Sequence, residues 1–273
     1  MSNFMHHKAV KELADLTYTM WQMGWDEKNG GNISYLLSQR EIEEIEIEEQ
    51  GRFYEMVNVP ENLVGKYLVI TASGSNFRLV KEEIERTIGV IRVEKAGYTI
   101  VAGFAHNNQP TSEIYMHLLS HGARLQVDPE HRVIVHNHAT EISAMTFIHE
   151  LDDRAFTRTL WSMITECIVV FPDGIGVLPW MVCGNEEIGL ATAKKMASCR
   201  IVVWAHHGVL ASGKSLNDAF GLIETVNKAA KIYLETYDKR ITTGITDEQL
   251  VELCQFFHIT PKEGILNTSF STR

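Results

Sequence analysis

Apolar residues recur at helical spacing in several segments of the chain, with polar positions between them. The clearest apolar stripe, from Val10 to Met20, predicts an opening helix over residues 9–21. The other predicted helices are a segment after Pro110 that Thr111 or Ser112 can cap, a segment from about Thr140, residues 154–163, a segment from the N-cap Asn185 through Met196, and the longest, from Ser215 past Tyr233.

Short β-branched or apolar runs lie between these helices and predict strands. The runs cover residues 67–71, 132–136, 167–171 and 201–204. Since helices and strands alternate, the expected fold class is α/β or α+β, and the direction of the strands stays open. The chain has no internal repeat and no Pro- or Ser-rich linker, so we expect one domain over residues 1–273.

One segment departs from this even composition. Residues 41–49 read EIEEIEIEE and hold six glutamates. Strict alternation suits an exposed strand, and charge runs of this kind are usually solvated surface. We assign no chemistry to this segment.

The charge balance argues against two classes of partner. The chain of 273 residues has 25 Lys and Arg against 35 Asp and Glu, a formal net charge of −10. General binders of nucleic acid or of anionic membranes normally carry a basic face, so neither partner is expected. The same balance is weaker evidence against an anionic substrate, because backbone N–H groups, amides and hydroxyls can hold a phosphate at any net charge.

The cysteines and the N-terminus predict a cytoplasmic location. The four cysteines, at positions 167, 183, 199 and 254, form no CxxC pair. The first residues lack the apolar core of a secretory signal, and no uncharged run reaches the roughly 18 residues of a membrane span. We therefore expect a soluble protein with reduced thiols.

The strongest chemical signal is a pair of histidines after a predicted strand. His136 and His138 stand two positions apart, so on extended backbone they share a face, roughly 7 Å apart, and can share one metal ion. The alternative is two histidines on a solvated strand end. His206, His207 and Gly208 follow another strand, and only one of these two histidines should reach the same ion. Three histidines with an open position are typical of a catalytic zinc.

Other polar residues leave alternatives open. Glu113 can be a general base, or an acidic residue favoured by the helix dipole in a first turn. His117 and His121, four residues apart on a predicted helix, can bind metal, but we expect a structural or surface role. The remaining histidines, at positions 6, 7, 106, 131, 149 and 258, are expected to be surface or hydrogen-bonded residues.

Two Gly- and Ser-rich loops are candidate anion sites. Residues 25–32 follow the first helix and residues 71–76 follow a strand. Their backbone N–H groups can converge on an anion, although neither loop is a Walker A or dinucleotide motif, and both can be ordinary turns.

Six motifs in order along the chain together resemble one family. They read GWDEKNGGN, VITASGSNF, PTSEIYMHLLSH, RVIVHNHAT, ECIVVFPDGIGVLPWM and HGVLASG. This pattern is similar, nearly end to end, to the class II zinc-dependent sugar-phosphate aldolases of the aldolase II and adducin-head superfamily. The resemblance implies an α+β sandwich with a central, mostly antiparallel sheet flanked by helices, assembled as a four-fold symmetric homotetramer.

The resemblance also implies roles for matching residues. His136, His138 and His207 would hold one Zn²⁺ per subunit, with Glu113 as the catalytic acid and base. Glu166 would act near the aldehyde across a subunit boundary. The phosphate of a small sugar phosphate would be bound by Asn29, Asn32, Ser73, Gly74, Thr111 and Ser112.

One position departs from the family pattern. A basic residue often follows the Ser-Gly of the phosphate loop, whereas this chain has Ser75 there. Arg78 is the nearby residue that could compensate.

The segment ECIVVFPDGIGVLPWM favours the rhamnulose-phosphate branch over the shorter fuculose- and ribulose-phosphate relatives. That branch implies reversible cleavage of L-rhamnulose 1-phosphate to dihydroxyacetone phosphate and L-lactaldehyde in rhamnose catabolism, with zinc stabilising the enediolate charge. A pentulose-phosphate 4-epimerase would use the same site, and adducin-like heads keep the fold as a binding module. Retention of the three histidines and Glu113 argues against the binding module.

Overall fold

The computed structural model describes residues 4–47 and 51–268, which contain ten α-helices, nine strands and three short 3-10 helices. The α-helices are α1 (Lys8–Gln22), α2 (Gln39–Glu43), α3 (Ile84–Thr87), α4 (Ile114–Val127), α5 (Thr140–Ile148), α6 (Asp153–Met163), α7 (Glu166–Val170), α8 (Glu186–Met196), α9 (Leu216–Thr236) and α10 (Asp247–Phe256). The strands are β1 (Asn32–Leu36), β2 (Arg52–Glu55), β3 (Tyr67–Thr71), β4 (Ile88–Glu94), β5 (Gly97–Gly103), β6 (Val133–Asn137), β7 (Ile175–Leu178), β8 (Ile201–Trp204) and β9 (Gly208–Gly213).

The nine described strands form one sheet in the order β2-β5-β4-β3-β1-β6-β9-β8-β7. Every neighbouring pair is antiparallel except β7 and β8, which are parallel. The expected α/β class with a central, mostly antiparallel sheet and flanking helices is therefore confirmed.

The sheet has helices on both faces near its centre. Alternate residues of β6 divide between the two layers: Val133 and Val135 belong to the larger apolar core with residues of α9, whereas Ile134 packs with residues of α4 and α8. Asn32 of β1 lies opposite His136 of β6. Because directly paired residues share a face, both side chains point toward α4.

The six predicted helices correspond to α1, α4, α5, α6, α8 and α9. Asn185 and Ser215 cap α8 and α9 as predicted, by accepting bonds from N–H groups three residues on. The expected cap of α4 by Thr111 or Ser112 is wrong, because Glu113 is the N-cap residue, and Thr111 Oγ1 instead accepts from its backbone N–H.

Three of the four predicted strands are confirmed as β3, β6 and β8, and the strand predicted over residues 167–171 is wrong. That segment is the short helix α7, in which Cys167 and Ile168 are fully buried. A run of five apolar residues fits a buried helix as well as a buried strand, so packing decided between them. The strand of this region, β7, begins only after Pro172, Asp173 and Gly174.

The exposed strand predicted for the acidic run is also wrong where it is described. Ser38 and Glu41 form a capping box that starts α2, and the Glu41 carboxylate also accepts from Tyr35 and Arg132. Ile42 and Ile45 of the run are buried. Residues 48 and 49 lie outside the described residues.

Within the described ranges, none of the helices combines the length and the apolar character needed to cross a bilayer.

Candidate active site

Three histidines meet where β6 ends and β9 begins. The ligand nitrogens of His136, His138 and His207 all lie within 4.8 Å of one another. His206 is turned away, because its backbone has a φ of 61° and its ring packs against Phe147, 4.2 Å between centroids. The structure thus brings His207 to the cluster rather than its neighbour.

Hydrogen bonds set the tautomers of two of these imidazoles. His136 Nδ1 lies 3.0 Å from the carbonyl oxygen of Val209, and His138 Nδ1 lies 3.0 Å from the Glu27 carboxylate. Since both oxygens only accept, each Nδ1 carries a proton, and in a neutral ring the lone pair is therefore on Nε2.

The cluster fits a divalent cation. His136 Nε2 is fully buried and has no hydrogen-bond partner among the described residues. Burial lowers the pKa of His136 well below its ordinary value and that of His207 to about 4, so these imidazoles are neutral, the form that binds metal. Three imidazole side chains whose ligand nitrogens converge in this way can hold one divalent ion.

Glu113 faces the same cluster from the start of α4. Its Oε2 lies 3.5 Å from His136 Nε2, its Oε1 lies 3.7 Å from His207 Nε2, and Asn32 Nδ2 donates to Oε2 at 2.8 Å. Burial raises the pKa of Glu113, and the bond from Asn32 opposes that rise. A buried carboxyl group of raised pKa beside this histidine cluster is suited to proton transfer, which favours the general-base alternative over the helix-dipole one.

One cavity of about 310 Å³ joins this cluster to both candidate anion loops. Its lining includes the predicted metal ligands and Glu113, together with the predicted phosphate residues Asn29, Asn32, Ser73, Gly74, Thr111 and Ser112. The structure therefore places ten of the eleven predicted site residues around one space, and their individual roles stay predictions.

Two of the predicted phosphate-binding residues have no free backbone N–H group to offer a phosphate. The N–H groups of Ser73 and Thr111 already donate to the carbonyls of Gln109 and Thr71. Both residues would therefore meet a phosphate through their hydroxyls, which can donate as well as accept.

Glu166 and Arg78 do not reach this cavity. Glu166 is exposed at the start of α7, and its predicted role across a subunit boundary stays a prediction. Arg78 is exposed in a 3-10 helix, Phe77–Leu79, so compensation for Ser75 is not supported by its position.

Sequence reasoning missed two lining residues that carry chemistry. Lys28 is the only Lys or Arg among the described residues that line the cavity. Cys183 has its Sγ within 4.8 Å of ligand atoms of Glu113 and His207. Lys28 lies inside a motif that we had identified, whereas nothing in the local sequence marks Cys183.

Two glycines allow the close approach of backbone to this site. Gly31 has a φ of 76°, and an added Cβ would lie 1.9 Å from Asp26 Oδ1. A Cβ on Gly208 would lie 2.3 Å from the Asn137 carbonyl and 3.0 Å from His136 Cε1. A larger residue would have to displace Asp26 at the first position, and the Asn137 backbone or the His136 ring at the second.

The chain is similar to curated and solved proteins over most of its length. The rhamnulose-1-phosphate aldolase of Listeria welshimeri is 47% identical, with 94% of each chain covered, and that of Enterococcus faecalis is 44% identical, with 99% of each covered. A solved sugar-phosphate aldolase from Thermotoga maritima superposes with a TM-score of 0.74 at 30% identity, covering 86% of this chain and 98% of its own.

A solved L-fuculose 1-phosphate aldolase has a TM-score of 0.62 at 23% identity, covering 92% of this chain and 96% of its own, and supports the fold alone. The family described as Class II Aldolase and Adducin N-terminal domain matches residues 11–234. These matches confirm the resemblance that the motifs indicate, and the chain belongs to the class II aldolase and adducin N-terminal domain family.

Proposed function

We propose that this protein catalyses the reversible cleavage of L-rhamnulose 1-phosphate to dihydroxyacetone phosphate and L-lactaldehyde, a step of rhamnose catabolism. The observation that carries the proposal is the Glu113 carboxyl group facing three histidines in a cavity lined by amides and hydroxyls. Relatives with 42–47% identity over nearly the whole chain are named rhamnulose-1-phosphate aldolases, which supports this choice of sugar.

One Zn²⁺ per subunit is the proposed cofactor, held by His136, His138 and His207. When bound, such an ion supplies Lewis acidity for the negative charge that develops as the carbon–carbon bond breaks. No lysine Schiff base is needed in this scheme.

The side chains of this chain carry the other tasks. The hydroxyls of Ser73, Thr111 and Ser112 and the amide of Asn29 bind the phosphate. In cleavage the C3–C4 bond breaks and its electron pair stays on C3, while the C4 hydroxyl passes its proton to the Glu166 carboxylate of a neighbouring subunit as the aldehyde forms. Glu113, protonated at the start of cleavage, gives its proton to C3 to complete dihydroxyacetone phosphate, and in synthesis it removes that proton. Exchange with solvent then returns both carboxyl groups to their starting forms.

We further propose a cytoplasmic homotetramer with one catalytic domain per chain. Glu166 of a neighbouring subunit would assist proton transfer at the aldehyde oxygen, and its exposure here leaves it free to do so. Large exposed apolar side chains also support association, with Phe147 70%, Trp180 65% and Val182 60% exposed.

The deciding experiment measures release of dihydroxyacetone phosphate from L-rhamnulose 1-phosphate and L-fuculose 1-phosphate, and epimerisation at C4 of a pentulose 5-phosphate, with and without a chelator. We expect turnover of the first compound, lost on chelation and restored by Zn²⁺. Epimerisation of the pentulose 5-phosphate without cleavage of either sugar 1-phosphate would contradict the proposal and support a 4-epimerase. Metal analysis of His138→Ala, which should bind little zinc, tests the ligands separately.

A further inference from the structure

A line of buried hydrogen bonds leads from the interior of the protein to Glu113. His121 Nε2 lies 2.8 Å from Ser34 Oγ, and Ser34 Oγ lies 2.7 Å from His117 Nδ1. His117 Nε2 lies 2.6 Å from Asn32 Oδ1, and Asn32 Nδ2 donates to Glu113 Oε2 at 2.8 Å. We call these four residues, His121, Ser34, His117 and Asn32, the buried relay. None of them is more than 5% exposed.

Regular secondary structure places the buried relay. Glu113, His117 and His121 follow one another at intervals of four residues at the start of α4, so they share one face of the helix. Asn32 and Ser34 are two apart on β1 and therefore share the face of the sheet that α4 covers. Two rigid elements thus hold every member.

The carboxylate fixes the direction of every bond in the buried relay. An ionised Glu113 only accepts, so Asn32 must present its Nδ2 to it and its Oδ1 to His117. His117 Nε2 must then carry a proton, which leaves Nδ1 to accept from the Ser34 hydroxyl. His121 Nε2–H in turn donates to Ser34 Oγ. Burial keeps both imidazoles neutral, so each has one donor and one acceptor nitrogen, as this order requires.

We propose that His117 is a positioning residue for the aldol reaction, acting through Asn32 on Glu113. The side-chain amide of an asparagine can flip by about 180° at little steric cost. In the flipped rotamer Oδ1 would face the Glu113 carboxylate, and two hydrogen-bond acceptors would then repel each other. The Nε2–H of His117 excludes that rotamer, because it would then face the NH₂ group. Ser34 and His121 hold His117 in the required tautomer. This inference rests on the proposed function, since it assigns Glu113 the proton transfer.

The test compares substitutions of His117 that keep one or the other nitrogen position. Glutamine places an amide near the Nε2 position and can still donate to Asn32, whereas asparagine reaches only the Nδ1 side. We expect His117→Phe and His117→Asn to lower kcat by about 10- to 100-fold, with KM nearly unchanged and metal retained. His117→Gln should recover kcat to within about threefold of the wild type. Equal losses in the Gln and Asn variants would overturn the proposal.

A double-mutant cycle separates positioning from a general structural role. If His117 acts through Asn32, adding His117→Phe to Asn32→Ala should change kcat less than about twofold, because the shared path is already broken. Losses that multiply would contradict that path. His131→Phe is the matched control, since His131 is also a buried, hydrogen-bonded histidine but contacts Arg124 and Ser212 away from the cavity. It should lower thermal stability and leave kcat unchanged.

The two proposals fail in different ways. A wild type that cleaves L-rhamnulose 1-phosphate together with a fully active His117→Phe would remove only the positioning role. A wild type that cleaves a different sugar phosphate would overturn the proposed substrate, and the same variants would then test the relay with that compound. Lack of turnover with every compound of the panel would overturn both.

Discussion

Replacement of Glu113 by glutamine isolates proton transfer from the rest of the site. Glutamine has nearly the same shape, and its carbonyl oxygen can still accept the bond that Asn32 Nδ2 makes at 2.8 Å. The site is 6% exposed at this residue, so water cannot readily replace the lost base. General acid–base catalysis contributes roughly 10²- to 10⁴-fold, equal to about 3–5 kcal/mol of barrier. We expect Glu113→Gln to lose that factor in kcat while keeping its metal.

A half-reaction measures this loss directly. Exchange of the C3 proton of dihydroxyacetone phosphate with deuterium from the solvent needs neither the aldehyde nor Glu166, and NMR follows it without coupling enzymes. Exchange in Glu113→Gln within about threefold of the wild type would refute the assignment of this carboxyl group as the acid and base.

Glu141 offers a matched control for that substitution. It lies in the first turn of α5 and its Oε2 accepts from Asn227 Nδ2 at 2.9 Å, much as Glu113 accepts from Asn32, but it does not line the cavity. Glu141→Gln removes the same charge from a helix start. It should leave exchange unchanged, and a comparable loss there would point to helix stability rather than catalysis.

A thiol, a glycine and a carboxyl group in and next to the cavity each give a separate test. Iodoacetamide should label only Cys183 in the folded protein, since the other three cysteines are buried, and the label should inactivate the enzyme because Cys183 lines the cavity. The reaction should be slow near pH 7, because partial burial raises the pKa of this thiol. Intact mass should show one label per chain, and labelled protein of full activity would contradict this prediction. Gly30→Ala should lower zinc affinity by about 10- to 100-fold in a metal titration, because the new Cβ would lie 2.7 Å from His138 Nδ1. Gly221→Ala is the control and should bind metal normally, because its Cβ would have nothing within 4 Å. Burial raises the pKa of Asp26 from 3.8 to about 8, so the folded state keeps a proton that the unfolded chain releases, and the free energy of unfolding should fall as pH rises through this window. The slope is at most about 1.4 kcal/mol per pH unit; urea unfolding at several pH values should show a flatter profile for Asp26→Asn, and an unchanged profile would contradict the shift.

Helices were easier to predict than strands in this chain, for a physical reason. An amphipathic helix such as α1 keeps a polar face, so its period is visible in the sequence. The central strands are covered on both faces and lose their alternation, as the fully buried β6 and β8 show. The run at 167–171 has the same apolar character, and only its packing makes it a helix.

The part of the site that depends on local strand geometry could be predicted from the sequence. The part that depends on contacts between distant segments could not. The pair His136 and His138 follows from strand geometry alone, since two residues bring a side chain back to the same face. His117 contacts Asn32 across 85 positions of sequence, and the spacing of the two histidines on α4 gives no sign of that partner. The pair was predicted to have a structural or surface role, and its burial excludes the surface role, but its bonds end at Glu113, the proposed acid–base residue, rather than in the core.

Strand register connects these two parts of the site. Asn32 pairs with His136 and Ser34 pairs with Ile134, so the histidine cluster and the buried relay depend on the same alignment of β1 with β6. A slip of one residue would place Asn32 opposite Asn137 and turn its amide to the other face of the sheet, away from Glu113 and α4. Gly31, immediately before β1, helps to fix that alignment, because its φ of 76° suits glycine and an added Cβ would lie 1.9 Å from Asp26 Oδ1. Residues of the loop before β1 therefore support the proposed active site through the register that they impose, even where they touch no substrate.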